Sequence, residues 1–342
     1  MMAVLYPSTT RNLPREALWL MFGVTFAVIG GLLVTIFDTS GTTKLDTPFG
    51  ILVFAVCGLF ASASIARPEW RDDITAAIRL TILIHALFLF VQLAAMWVFG
   101  EQINFHEYVT GEPSRNVGGS LDNLGLGFFF RPSGLLNEPG TYAAWLLPLT
   151  TLYLVLRRYR ADWVLFVALL SVFATFSSQG VVSALIVAGV ILYFNRGWYS
   201  TILFPAVGMV AFITISASIW QRFVLADEFA DYSANDRIMS MQQAFSTVWG
   251  NGFLFPTIDI ADSTTLVYWW WYCGIFAAPL LLTFALLGFR NWRSLALMFL
   301  LLFTSKVPAS APLYWIIIGM GLGVAKLEDK PFKKRLLEKI DS

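Results

Sequence analysis

Apolar runs of roughly 20 residues recur along this chain, and a helix of that length matches the hydrocarbon thickness of a bilayer. They fall near 17–37, 50–66, 76–99, 140–156, 162–176, 181–194, 199–219, 264–289, 295–303 and 309–324, the 295–303 run being short for a full crossing. A segment in lipid must satisfy its backbone polar groups internally, so such runs become helices. The expected fold is therefore all-α: a polytopic transmembrane helix bundle of about ten spans, built as a single membrane domain over 1–342. Composition agrees, with 57% of the 342 residues hydrophobic and only 13% charged. No repeat of 20 to 50 residues points to a solenoid or an array.

Positive charge sets the expected orientation, because cytoplasmic loops retain lysine and arginine. With the N-terminus inside, seventeen of the 23 basic residues fall on the cytoplasmic side, many of them in a basic tail at 326–342. Both termini are thus expected to be cytoplasmic. Arg11 and Arg15 ahead of the first run read as a signal anchor that is not removed. The six basic residues left outside are Lys44, Arg115, Arg131, Arg222, Arg237 and Lys306, and these call for a reason. Cys57 and Cys273 both lie in expected spans and read as packing residues. Nothing in the charge pattern suggests nucleic acid.

The middles of the spans are nearly free of ionisable groups, which weighs against an ion-coupled transporter. His85 is the exception, and it reads as a packed, hydrogen-bonded structural residue. Polar residues gather instead in two long outer loops, 100–139 and 220–263, where length points to function.

The first loop ends in FFFRPSGLLNEPGTYAAW, from Phe128. It is too interrupted to span, so it reads as a re-entrant segment lining an outward-facing cavity, where irregular backbone is tolerated at membrane depth. Pro139 suits the first turn of a helix, with Asn137 or Glu138 at its cap. The positive end of that helix favours an anion, either the Glu138 carboxylate or a ligand phosphate, and Arg131 can reach the same place. In the second loop, YSANDRIMSMQQAFSTVWGNG predicts a short amphipathic helix. Ser233 and Asp236 form its capping box, Ile238, Met241, Phe245 and Val248 line one face, and Gly250 ends it. Arg237 in its first turn opposes the helix dipole and hints at a bound anion.

These segments resemble the bacterial O-antigen polymerase and ligase superfamily. The carriers are RPSGLLNEPGTYAA (131–144), TFSSQG (175–180) and DRIMSMQQAFSTVWGNGFLF (236–255), in the order and spacing of that family's arginine, Glu/Asn-Pro, Ser-Arg-Gly and Gly-x-Gly features. The resemblance implies a membrane glycosyltransferase of the bacterial inner membrane that uses no cofactor or metal. Its substrate would be an oligosaccharide on undecaprenyl diphosphate, and its partners the bilayer and a chain-length regulator or flippase. Arginines suit such a leaving group, because guanidinium makes short bidentate contacts to phosphate oxygens. Arg131 and Arg237 are the expected catalytic cations and Arg222 a further contact. Glu138 is assigned to the acceptor hydroxyl, either to orient it or to take its proton. Asn137, Ser178, Gln179 and Trp269 complete the expected substrate contacts.

Two departures matter. Gln179 stands where the family commonly has arginine, and no histidine accompanies ADSTTLVYWWW from Ala261, which favours polymerase over ligase. A lipid-linked sugar flippase and a non-catalytic assembly partner remain as rivals. Simpler readings also stand beside the site: Arg131 as a snorkelling side chain, Arg237 as a solvated helix-end residue, the aromatics from Tyr268 to Tyr272 as an interfacial belt, and Asp227, Glu228 and Asp231 as a solvated face without a metal.

Overall fold

The computed structural model describes residues 14–37, 46–112, 131–194, 239–253, 264–291, 295–305, 307 and 309–340, with the backbone alone at 68, 178 and 327–340. The expected span at 199–219, the capping box at Ser233, the acidic cluster from Asp227, and both Arg222 and Arg237 lie outside these residues.

Every regular element among the described residues is helical. The helices are α1 (Arg15–Phe37), α2 (Asp46–Ile65), α3 (Arg71–Phe99), α4 (Phe105–Thr110), α5 (Pro139–Leu156), α6 (Trp163–Ala174), α7 (Ser178–Phe194), α8 (Thr265–Cys273), α9 (Ala278–Arg290), α10 (Leu297–Thr304) and α11 (Pro312–Ile340). Among the described residues, four segments are long and apolar enough to cross a membrane: α1, α2, α3 and the combined Thr265–Arg290. Shorter apolar helices include α6, α7 and the first half of α11. This is a multi-pass membrane protein by length and composition, and α10, at roughly 12 Å, is too short to cross alone.

The chain forms two compact units, residues 75–231 and residues 1–74 with 232–342. The first is organised around α5. Fifteen of its 18 residues are buried, as expected of a helix surrounded on all sides rather than one with a single apolar stripe. Helices α6 and α7 pack against it.

The second unit is built on α1, α2, α8, α9 and α11. Helices α2 and α11 approach backbone to backbone, because Gly319 faces the Gly58 carbonyl and Gly323 faces Ile65 and the Ser62 carbonyl. Small residues at such a seam let membrane helices close on each other. The run expected as one span at 264–289 stands as one candidate span, Thr265–Arg290, with a 3-10 turn, Gly274–Ala277, inside it. Tertiary bonds hold the turn: Ile275 N–H donates to the Val248 carbonyl at 2.8 Å and Asn251 N–H to the Trp271 carbonyl at 2.7 Å. The same bonds correct the amphipathic helix. Among the described residues it ends at 244, because from Thr247 onward the backbone pairs with the α8–α9 run instead of with itself. Met241, Phe245 and Val248 are exposed, whereas Ser240 and Ala244 are buried. The terminal residues Gly250 and Gly252 take φ of 78° and 66°. The expected basic tail is no separate segment, since α11 continues through it to Ile340.

Candidate active site at two helix N-termini

The segment ahead of α5 is anchored by one polar side chain. Gln92 sits in α3, 1% exposed. Its Oε1 accepts hydrogen bonds from the Ser133 and Gly134 amides at 2.9 and 3.0 Å, and its Nε2 donates to the Ile103 carbonyl at 2.6 Å. The turn closes with Leu136 N–H on the Ser133 carbonyl at 3.1 Å. Gly134 is left-handed, φ 60°, and a Cβ there would stand 3.3 Å from the His85 carbonyl. Glycine is thus required both for the backbone angle and for the close approach to α3. His106 Nδ1 lies 3.2 Å from the Leu135 carbonyl and braces the turn from the other side.

The Arg79 guanidinium lies 5.3 Å from the Trp163 ring centroid, and His85 and Leu89, which Gly134 packs against, are roughly 9 to 15 Å further along a helix rising 1.5 Å per residue. Irregular backbone buried against α3 needs its amides satisfied by protein, and Gln92 does this.

Glu138 occupies the N-cap position of α5 in extended backbone, with Pro139 next, as expected from the sequence. Its carboxylate does not cap the first-turn amides. Oε1 accepts instead from the Thr141 hydroxyl at 3.1 Å. Arg131 is exposed, and Asn137 and Glu138 are half-buried.

The TFSSQG segment supplies the second helix start. Phe176 holds φ of 51°, an uncommon angle for a side chain of that size, and this turns the chain from α6 into α7. Ser177 is the capping residue: its hydroxyl accepts from Gly180 N–H at 3.3 Å, while the side chain of Ser178 lies outside the described residues. Gln179, two positions after Ser177, is half-buried in the first turn. A Cβ on Gly180 would come 2.7 Å from that of Ala143, and one on Gly140 would lie 3.4 Å from Glu138 Oε1 and 3.9 Å from Ser177 Oγ. The N-termini of α5 and α7 therefore meet, with a carboxylate and a hydroxyl flanking Gly140. Two positive helix ends in one place favour negative charge. One turn further, Tyr142 donates to Ser171 Oγ at 2.9 Å and packs edge-on to His85, ring centroids 6.3 Å apart. His85 is packed as expected, but its Nδ1 is buried without the hydrogen bond expected of it.

Trp269 lies elsewhere, in α8 of the other unit. It is fully enclosed and packs edge-on to Trp315 at 6.2 Å. Trp271 is likewise buried, leaving Trp270 as the half-exposed tryptophan of the run, so Trp269 offers no open face to a sugar. Gln92, Thr141 and Ser177 did not stand out in the sequence. A lone glutamine in an apolar run was the available signal for the first, but a search for ionisable residues passes over it.

A scan against protein-family models, a search of curated proteins and a search of solved structures each found no match.

Proposed function

We propose that this chain is a polysaccharide polymerase of the bacterial inner membrane, with about ten spans and both termini cytoplasmic. It passes a growing glycan from undecaprenyl diphosphate to a hydroxyl of a lipid-linked repeat unit at the periplasmic face. One observation carries the reading. The segments 131–144 and 175–180, which bear the resemblance to the O-antigen polymerase and ligase superfamily, lie apart in sequence yet bring Glu138 and Ser177 to the two sides of Gly140.

The chemistry fits such a place. The acceptor oxygen bonds to the anomeric carbon as the bond to the diphosphate breaks, and the leaving group takes the electron pair. Two helix N-termini and Arg131 stabilise that developing charge, and preorganised contacts of this kind are worth several kcal/mol in a transition state. Glu138 orients the acceptor hydroxyl or receives its proton. Gln179 and Asn137 belong to the sugar-contacting surroundings, and Arg237 and Arg222 are the further cations that the resemblance assigns to the diphosphate.

The test is reconstitution in vesicles with lipid-linked repeat units. The reading expects chain extension without net movement of the unextended substrate across the bilayer. Movement without extension would assign the chain to the flippases, and transfer of finished chains to a lipid A core acceptor would make it a ligase.

A further inference from the structure

At the other end of α5 from Glu138, four exposed arginines collect in the same compact unit: Arg79 from α3, and Arg157, Arg158 and Arg160 after the end of α5. One carboxylate stands among them. Asp162 Oδ2 lies 3.7 Å from Arg157 Nε and accepts from the Tyr153 hydroxyl at 2.6 Å, and its Oδ1 caps α6 through Val164 and Leu165 N–H at 3.1 and 3.2 Å. Asp162 is thus committed. Among the described residues no carboxylate pairs with Arg79, Arg158 or Arg160.

The loop that carries them is held rigid. Arg158 N–H donates to the Val155 carbonyl at 2.9 Å and Tyr159 N–H to the Leu154 carbonyl at 2.8 Å, a helix-ending pattern whose left-handed position is usually glycine. Here Arg158 and Tyr159 hold φ of 54° and 61° in succession. The Tyr159 ring is pinned on Phe194, centroids 4.2 Å apart, with Arg158 and Arg160 exposed on either side. Beside them the Arg79 guanidinium lies over Trp163, itself 53% exposed at the start of an apolar helix. An open indole at that position marks the headgroup level of a bilayer, and arginine binds phosphate oxygens through paired N–H donors.

We propose that Arg79, Arg158, Arg160 and Trp163 form a binding surface for the headgroup of an anionic glycerophospholipid. The surface is independent of the polymerase reading. It is preorganised by the pinned loop and uses Trp163 to seat the glycerol region while the guanidiniums take the phosphate.

The test uses the full chain purified in neutral detergent, with phosphatidylglycerol or phosphatidylcholine added and retained lipid measured by native mass spectrometry. Wild type is expected to retain phosphatidylglycerol in preference to phosphatidylcholine, and each arginine removed should weaken that retention roughly fivefold. Arg158→Gly is the decisive variant, because glycine suits the left-handed backbone, so the fold is kept while retention falls. Arg290→Gln, in the other unit, should leave retention unchanged. Equal retention of the two lipids by wild type, or undiminished retention by Arg158→Gly and Arg79→Gln/Arg160→Gln, would overturn the proposal. So would displacement of the lipid by inorganic phosphate or a soluble acidic peptide at matched charge.

Discussion

Gln92 Oε1 accepts the backbone amide of Ser133 at 2.9 Å, forty-one residues away in sequence. One side chain thereby fixes the non-helical segment against α3, just ahead of the start of α5. Gln92→Leu would remove the buried acceptor that the Ser133 and Gly134 amides share, at a cost of about 2 kcal/mol or more. The expected result is a lower Tm in detergent, together with faster labelling of a cysteine placed at Leu135. Unchanged labelling would mean the turn is held by other contacts.

Thr35 plays the corresponding part in the other unit. Its hydroxyl donates to the Gly31 carbonyl at 2.8 Å and accepts from Phe253 N–H at 2.6 Å. Thr35→Val keeps the shape and strands a buried amide, so a loss of about 1 to 3 kcal/mol is expected. Thr35→Ser should restore most of it in the same unfolding measurement.

Two glycines in apolar helices should respond in opposite ways to alanine. Gly319 in α11 faces the Gly58 carbonyl with no room for a Cβ, whereas nothing lies within 4 Å of a Cβ on Gly189 in α7. Gly319→Ala forces α2 and α11 apart, and overpacking of this kind typically costs about 1 to 3 kcal/mol. Gly189→Ala gains helix propensity of up to about 1 kcal/mol. Comparison of the two Tm values checks this directly.

The difference between those glycines is also the difference between what was and was not readable beforehand. Long apolar runs dictate helices, and α1, α2 and α3 begin and end within a few residues of the expected limits. Pro139 and the Pro-Gly pattern before it likewise located the start of α5 and its Glu138 cap, because proline and glycine act locally. At Gly274 the local signal, a glycine with Pro279 five residues on, does not by itself fix a 3-10 turn, which Trp249 and Gly250 pack against. For the same reason the amphipathic pattern through Val248 overran the helix, which stops at 244 where Thr247 to Asn251 join the α8–α9 run. Trp269 shows the limit from the side-chain direction. A run of aromatics has the same appearance whether it faces a headgroup layer or, as here, another tryptophan.

Ser177 separates a structural from a catalytic contribution. Ser177→Ala removes the hydroxyl that caps α7 and should cost about 1 kcal/mol of stability. Ser177→Thr keeps a hydroxyl at the same place and should recover that stability. If the hydroxyl also meets the substrate, Ser177→Ala will lower the rate of glycan extension at temperatures well below its Tm. A rate loss that merely tracks unfolding would assign Ser177 to capping alone.

The central claim is that Glu138, at the meeting of two helix N-termini, serves transfer of a glycan from a lipid diphosphate. Its most direct measurement is the rate at which purified protein extends lipid-linked repeat units into a ladder of longer glycans, compared between wild type and Glu138→Gln. The substitution preserves size and an acceptor oxygen for Thr141, so insertion and Tm should be nearly unchanged. The account predicts a ladder from wild type and a rate reduced by roughly a hundredfold in Glu138→Gln, the scale of a lost acid–base or orienting group. A wild-type protein that makes no ladder from its authentic substrate, or a Glu138→Gln protein that makes it at the wild-type rate, would contradict it.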